Sequence, residues 1–447
     1  MTTKPVVKLG ILGLGVVGQG VLKHLNRNRK LLESRLGVRI KVSRIAVRHK
    51  HLKRSVKVNP DLLTEDAFEV VNDPDIQIVC ELIGGKGLAK DLTLAALKHG
   101  KIVVTANKAL LCEHGNQIIH AARKSKGHIF FEASVAGGIP IIKSIREGLV
   151  ANRFPEIHGI LNGTCNYILT KMQAEGQPFK DVLREAKRLG YAEADESLDV
   201  DGIDAAHKAG ILAYLAHGKW IPMKKMLIEG IRDITTLDME TADALGYRIK
   251  HIASVVCDAS RRSLFVGVYP ALIPKYHILG RVDEVYNAVC VTGDVVGSTT
   301  HIGRGAGQDA TASAVISDIA DAVFTAQGLK LMTLIDEVND PLTPTRQDLQ
   351  VAPMESVRSS FYLRLKVMDQ PGVLSRITAT MAKEDISIAR VMQQLNNGGR
   401  ANKGTAVLTL TTHQCSEMAI SKAVRSLKQL KVVLSKPFLL RIADFND

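Results

Sequence analysis

The amino-acid sequence predicts an α/β protein that begins with a doubly wound parallel sheet, and three observations carry that expectation. Short apolar runs alternate with helical spacing over the first 135 residues. Strands and helices then mix over 136–304, and the last stretch runs in the order βαββαβ. Val6 to Leu25 read VVKLGILGLGVVGQGVLKHL, an apolar strand that turns through Gly13, Gly15 and Gly18 into a helix. Gly13 permits the tight turn, Gly15 lets phosphates approach the backbone, and Gly18 lets helix and strand pack closely. Val16 and Val17 open the helix, where free backbone N–H groups suit the pyrophosphate of a dinucleotide. A G-x-G-x-x-G placed between a strand and a helix is the Rossmann-type pattern.

The elements that follow keep the alternation. Val38–Val47 is rich in β-branched residues and reads as a strand. Ile76–Ile83 and Ile102–Ala106 are apolar runs of buried-strand type. Between them Leu88–Lys98 has helical spacing, with Leu88, Leu92, Ala95 and Ala96 on one side. A helix over Leu110–Lys124 and a strand over Ile129–Ala133 complete a dinucleotide-binding domain over 1–135. Pro140 suits the first turn of another helix, and an α+β substrate and dimerisation domain spans 136–304. It has helices at Thr164–Ala174, Phe179–Leu189 and Gly202–Ala216, with strands at Leu264–Val268 and Ala288–Thr292. An apolar helix at Thr311–Ala326, within about 305–330, returns to the first domain.

The stretch 336–359 holds Pro341, Pro344 and Pro353 among many charges and reads as a linker. A ferredoxin-like unit spans 360–441. Its strand Ser360–Val367 turns at Asp369-Gln370-Pro371-Gly372 into the helix Val373–Lys383. A strand Ile386–Gln394, a turn at Gly398-Gly399, a strand Thr405–Thr411, a helix Glu417–Lys428 and a last strand Lys431–Leu434 follow.

With 447 residues, 46% apolar and 23% charged, the composition is that of a globular protein of about three domains. No apolar run approaches the ~18 residues that span a membrane. The amino terminus enters a strand at once and leaves no room for a signal peptide, so a cytoplasmic protein is expected. Six scattered cysteines without a C-x-x-C pair read as reduced core thiols. The net charge of +14 concentrates in Arg27 to Lys57. Nucleic acid is the less favoured partner for it, because aromatic residues total only 4% and no stacking platform accompanies the basic run.

The densest polar segment, Glu193 to Lys208, places six carboxylates within twelve positions ahead of an apolar helix. Asp204 and Lys208 are four apart and share a helix face. Burial of a lysine favours its neutral form, which suits general-base work. Thr105-Ala106-Asn107-Lys108 follows the carboxyl end of a strand, the edge where ligands bind in open α/β sheets. Thr105 and Lys108 therefore belong with the cofactor cleft. Glu132, beside the turn Val135-Ala136-Gly137-Gly138-Ile139, offers oxygen to a hard monovalent cation.

Taken together, LGILGLGVVG, TANKALL, FFEASVAGGIPIIKSIREGL, GILNGTCNYIL, GYAEADESLDVDGIDAAHKAGILA and GAGQDATASAVISDI resemble the homoserine dehydrogenase family, in order over 6–330. The tail, with Asp369-Gln370-Pro371-Gly372, resembles an ACT domain, an amino-acid-sensing module. The resemblance implies interconversion of L-homoserine and L-aspartate 4-semialdehyde with NAD(P)(H). It implies Lys208 as general acid/base with Lys108 beside the reacting oxygen, and Glu193, Asp204 and Asp199 holding the amino-acid head. It also implies a sodium ion held by Glu132, Val135, Gly137 and Ile139, mostly through carbonyls, and a loop Gly303–Gly307, with Gly305, closing on the cofactor. L-threonine is the effector it suggests, and a homo-oligomer, dimer or tetramer, the assembly.

Two departures stand out. Val47-Arg48-His49-Lys50 ends the second strand without an acid, so Arg48 and Lys50 favour a 2′-phosphate and NADP(H) over NAD(H). Arg304 places a charge where a neutral residue is expected. The alternative reading is a nucleotide- and amino-acid-sensing regulator that binds nucleic acid through the basic run. No helix-turn-helix is visible, and such a regulator has no use for the Glu193-to-Lys208 cluster.

Overall fold

Parallel strands are covered by helices on both faces, so they are apolar on both sides. The computed structural model describes residues 4–125, 127–192, 195–329, 349–353, 357–395 and 404–445, and its first sheet is built on that rule. β1 (Val6–Leu12) leads into α1 (Val16–Arg27), α2 (Arg29–Leu36), β2 (Arg39–Ala46), β3 (Leu63–Thr64) and α3 (Phe68–Asn72). Then come β4 (Ile78–Glu81), α4 (Gly87–Lys98), β5 (Ile102–Thr105), α5 (Lys108–Ser125) and β6 (His128–Phe130). The strands pair in parallel in the order β3-β2-β1-β4-β5-β6. The winding reverses between β1 and β4, the place where such sheets open a crevice. Every residue of β4 and β5 is buried. The strand expected at Ile129–Ala133 stops at Phe130. Glu132–Ser134 is a 3-10 turn instead, because the Glu132 N–H donates to the Asp318 carboxylate, 2.8 Å away, rather than to a strand.

The second sheet is antiparallel in its first part. α6 (Ile141–Lys143), α7 (Gly163–Glu175), α8 (Phe179–Arg188), α9 (Ser197–Val200), α10 (Ile203–His217) and α11 (Thr236–Ala244) accompany its strands. Those strands are β7 (Glu156–Ile160), the short β8 (Leu227–Ile228), β9 (Tyr247–Asp258), β10 (Ser263–Pro274), β11 (Tyr286–Gly293) and β12 (Gly297–Arg304). They run β12-β11-β7-β9-β10. β7, β9, β12 and α11 are absent from the sequence reading. In β9 the charges of Arg248, Lys250 and His251 hide a strand that is nevertheless buried. Lys250, 2% exposed, donates to the Val282 carbonyl at 2.6 Å and to Asp283 at 2.8 Å. α12 (Gln308–Ala326) then returns to the first sheet beside α1. Gly20 makes that approach possible, since a Cβ there would lie 2.8 Å from Gln308 Cγ.

The C-terminal unit comprises β14 (Arg358–Met368), α13 (Val373–Lys383), β15 (Ile388–Leu395), β16 (Thr405–Thr412), the two-residue β17 (Cys415–Ser416), α14 (Glu417–Gln429) and β18 (Phe438–Ile442), preceded by β13 (Gln350–Val351). Its order, β18-β14-β16-β15, is that of a ferredoxin-like sheet. The last strand differs from expectation. Around Lys431–Leu434 there is one isolated bridge, Val367 to Val433, and the strand proper is Phe438–Ile442, paired with both β14 and β10. Most of the stretch 336–359 read as a linker, namely 336–348 and 354–356, lies outside the described residues, as does the turn Gly398-Gly399. Of the rest, Gln350–Val351 pairs with β10, and Arg358–Ser359 already belongs to β14.

β10 lines up three partners along one edge: β13 at Ser263–Leu264, β8 at Gly267–Val268 and β18 at Ala271–Leu272. The C-terminal unit thus continues the second sheet. Arg441 locks this junction. It is 4% exposed and bonds Glu417 of α14 at 2.5 Å and Glu229 at 2.6 Å, with its guanidinium 4.9 Å from the centre of the Tyr269 ring.

Candidate active site

The glycine turn after β1 is sealed wherever a side chain could enter except at one residue. Gly13 has φ +97°, and a Cβ on it would meet the Leu82 carbonyl at 2.7 Å. One on Gly18 would lie 2.2 Å from the Gly13 carbonyl. Gly15 alone of the three faces open space, beside the exposed Val16 and half-buried Val17 at the first turn of α1. This is the cradle that a pyrophosphate requires, with backbone N–H groups at a helix N-terminus. At the end of β2, Arg48 and Lys50 are both exposed. Their loop is braced from beneath by Arg54, whose guanidinium donates to the carbonyls of His49, Lys50 and Leu52. Ser55 ties the same loop to Gln19 of α1.

Across the sheet edge, the N-terminus of α10 brings Asp204 and Lys208 over the start of α5. Lys208 is 8% exposed, and its ammonium donates to the Leu161 carbonyl and to Asp204 Oδ2, each at 2.6 Å. The other Asp204 oxygen lies 3.2 Å from Lys108 Nζ. Burial pushes the Asp204 carboxyl up, but the ammonium groups of Lys208 and Lys108 win and hold it well below the usual carboxylate range. Asp199 shows the opposite balance: burial raises it, against the pull of Asn162.

Asn162 went unnoticed in the sequence. Its amide donates to Asp199 at 2.7 Å and to Asp204 at 2.9 Å, while its carbonyl caps α7 by accepting from the Cys165 N–H. The other acids of the cluster do different work. Glu196 and Asp201 are held outside by Arg232, and Glu196 also by Lys187 at 2.5 Å. Glu193 lies outside the described residues.

Thr105 is fully buried, and its hydroxyl donates to Glu81 at 2.7 Å rather than pointing into the cleft. Glu81, at the end of β4, also accepts from the N–H groups of Ile83 and Gly84. It was legible only as a lone acid inside the apolar run of β4.

The residues expected around a cation are Glu132, Val135, Gly137 and Ile139. The Glu132 carboxylate is turned to α6, where its two oxygens accept from the N–H groups of Ile142 and Lys143, each at 2.8 Å. The Glu132 carbonyl accepts from the Val135 N–H at 3.4 Å, and the Ile139 carbonyl accepts from the Ile141 N–H at 2.8 Å. Among the described residues no group of three or more His, Cys, Asp or Glu side chains could hold a metal. Gly305 is buried between Asn287 and the Gly137 turn, where a Cβ would collide with the Asn287 amide at 2.0 Å. Arg304 is exposed, with its carbonyl accepting from the Gly138 N–H.

Burial raises the Glu132 carboxyl to about 7, despite those backbone donors, Lys143 and Arg146. Between 4.5 and 7 the folded protein holds this proton and the unfolded chain does not, so the contribution to stability is full below 4.5 and lost as pH rises through 7. Glu132→Gln should flatten the dependence of the urea midpoint on pH across that window. An unchanged slope would contradict the assignment.

Comparison with known proteins places these features. The family model described as "Homoserine dehydrogenase, NAD binding domain" matches residues 13–132, and the one described as "Homoserine dehydrogenase" matches 140–320. The chain is 42% identical to a homoserine dehydrogenase of Pseudomonas aeruginosa, over 98% of this chain and 99% of that one. It is 36% identical to the Bacillus subtilis protein of that name, over 96% of each. Among solved structures, a homoserine dehydrogenase from Thiobacillus denitrificans superposes with a TM-score of 0.90 at 41% identity, covering 99% of this chain and 100% of that one. A hyperthermophilic archaeal homoserine dehydrogenase in complex with NADPH superposes with a TM-score of 0.62 at 26% identity, covering 74% and 100%.

Proposed function

The chain belongs to the homoserine dehydrogenase family of NAD(P)-dependent oxidoreductases, and on that premise we propose that Lys208 is the acid–base residue for interconverting L-homoserine and L-aspartate 4-semialdehyde. One observation carries the assignment. An ammonium has three N–H donors, and two of those on Lys208 are spent on Leu161 and Asp204. Among the described residues the third has no partner, and it serves the substrate oxygen.

The bound nicotinamide supplies the hydride acceptor for oxidation and the donor for reduction. In oxidation the neutral amine form of Lys208 takes the hydroxyl proton as C4 becomes an aldehyde and so becomes the ammonium, and in reduction that ammonium returns the proton to the oxygen. Lys108, 38% exposed at its side chain, polarises the same oxygen from the other side of Asp204. Asp204, Asp199 and Glu193 receive the substrate ammonium, with Asn162 holding the first two apart.

The glycine turn holds the pyrophosphate through Gly13, Gly15, Val16, Val17 and Gly18, with Thr105 and Gly305 shaping the far side. Arg48 and Lys50 favour the 2′-phosphate of NADP(H). Sodium, where present, sits on the carbonyls of Glu132, Val135, Gly137 and Ile139. The C-terminal unit is an ACT domain for L-threonine, in a homo-oligomer, dimer or tetramer.

Homoserine-dependent reduction of NADP+ and of NAD+, each with and without threonine, tests the scheme. Activity with neither cofactor would refute it, and unchanged rates with threonine would remove the effector. Arg48→Ala together with Lys50→Ala should raise KM for NADP+ by about tenfold, one phosphate contact being a charge-assisted bond of ~1.5–3 kcal/mol, and leave KM for NAD+ nearly unchanged. Equal effects on both cofactors would place the 2′-phosphate elsewhere.

A further inference from the structure

We infer that the Glu81 carboxylate forms an anionic floor beneath the nicotinamide ring and favours its oxidised, positively charged form. The inference rests on the cofactor site proposed above and concerns one residue with no role in it so far. Glu81 ends β4, fully buried, at the edge where the sheet opens its crevice. It stands between the two halves of the site. The next residue, Leu82, presents its carbonyl to Gly13 of the phosphate turn, and Thr105, bonded to the Glu81 carboxylate, begins the segment that carries Lys108.

A carboxylate taken out of water is costly unless a cation or a full set of donors compensates it. The donors to Glu81 in the described residues are neutral: the Thr105 hydroxyl at 2.7 Å and the N–H groups of Ile83 and Gly84 at 3.1 and 3.3 Å. These donors, with the Asn107 amide, favour the ionised form against burial, which pushes the carboxyl up. Among the described residues no ion pair reaches it, whereas Asp204 has two. Above it the loop is bare, since Gly84 and Gly85 have φ +71° and +74° and a Cβ on either would meet nothing within 4 Å.

A buried charge without a counter-charge beside a stripped loop fits a ligand that brings the cation. Oxidised nicotinamide carries a positive charge on its ring, and reduced nicotinamide is neutral. A fixed anion nearby therefore binds the two forms unequally. At separations of ~6–8 Å and an effective dielectric of ~40, the difference is about fivefold to tenfold in affinity.

The test is calorimetric binding of NADP+ and NADPH to the full-length protein, without substrate. Glu81→Gln, which keeps shape and loses charge, should weaken NADP+ relative to NADPH by about fivefold to tenfold, and Glu81→Asp should keep the ratio within twofold of the unaltered protein. If Glu81 only props the loops, Gln shifts both affinities alike and the ratio stays put, which overturns the inference. Should the Gln variant fail to fold, the unaltered protein decides: comparable affinities support the floor, and NADPH bound more than tenfold tighter overturns it. If the unaltered protein binds neither form, the cofactor reading itself falls, an outcome distinct from an unmoved ratio.

Discussion

Lys208→Ala is expected to lower turnover by about 10²–10⁴, the usual cost of removing a general acid or base, with cofactor affinity left within twofold. The fold should survive the change. Asp204 would keep Lys108 at 3.2 Å and the Asn162 amide at 2.9 Å, so no carboxylate is stranded. Lys208→Arg separates proton transfer from charge. A guanidinium supplies the cation but does not give up its proton near neutral pH, so the arginine variant should remain as slow as the alanine one in homoserine oxidation. Stopped-flow measurement of the hydride step with saturating homoserine gives the answer, and normal turnover in Lys208→Ala would dismiss the residue as the proton carrier.

Arg441→Ala should cost about 3–5 kcal/mol of stability, the range for breaking a buried pair by deleting one partner. Glu417 is the reason. Its side chain is only 10% exposed, burial already raises its carboxyl, and the Arg441 guanidinium is what opposes that rise. Glu229, at 40% exposure, can turn to water and matters less. Replacing the pair together, Arg441→Met with Glu417→Leu, leaves no orphaned charge and should recover most of the loss. Urea unfolding of the three proteins distinguishes these cases. A single variant as stable as the parent would mean that packing of β18, not the ion cluster, holds the junction.

How much of this was readable beforehand follows from where each residue finds its partners. β1, β4 and β5 announce themselves because burial on both faces leaves almost unbroken apolar runs. β9 does not, since Lys250 and His251 lie in its interior and find their partners in Val282, Asp283 and Glu229, distant in sequence. The last strand was misplaced onto Val432 and Val433, whose apolar character serves the core of the C-terminal unit and not a ladder. In the site, Asp204 and Lys208 could be paired because four residues along a helix is a contact by geometry. Leu161 and Asn162 could not, for they reach that pair from more than 40 residues away through a backbone carbonyl and an amide. A sequence does not tell which way the Glu132 carboxylate turns, and in the fold its two oxygens accept from the N–H groups of Ile142 and Lys143.

The seam along β10 has a practical outcome. A shortened protein ending near Val351 would strip β18 away and bare the stretch Ala271–Leu272, whose main-chain groups the native fold hands to Arg441, Ile442 and Ala443. An uncovered flank of that sort invites a neighbour's strand. Truncated enzyme should therefore self-associate or precipitate at concentrations where the intact chain stays dispersed.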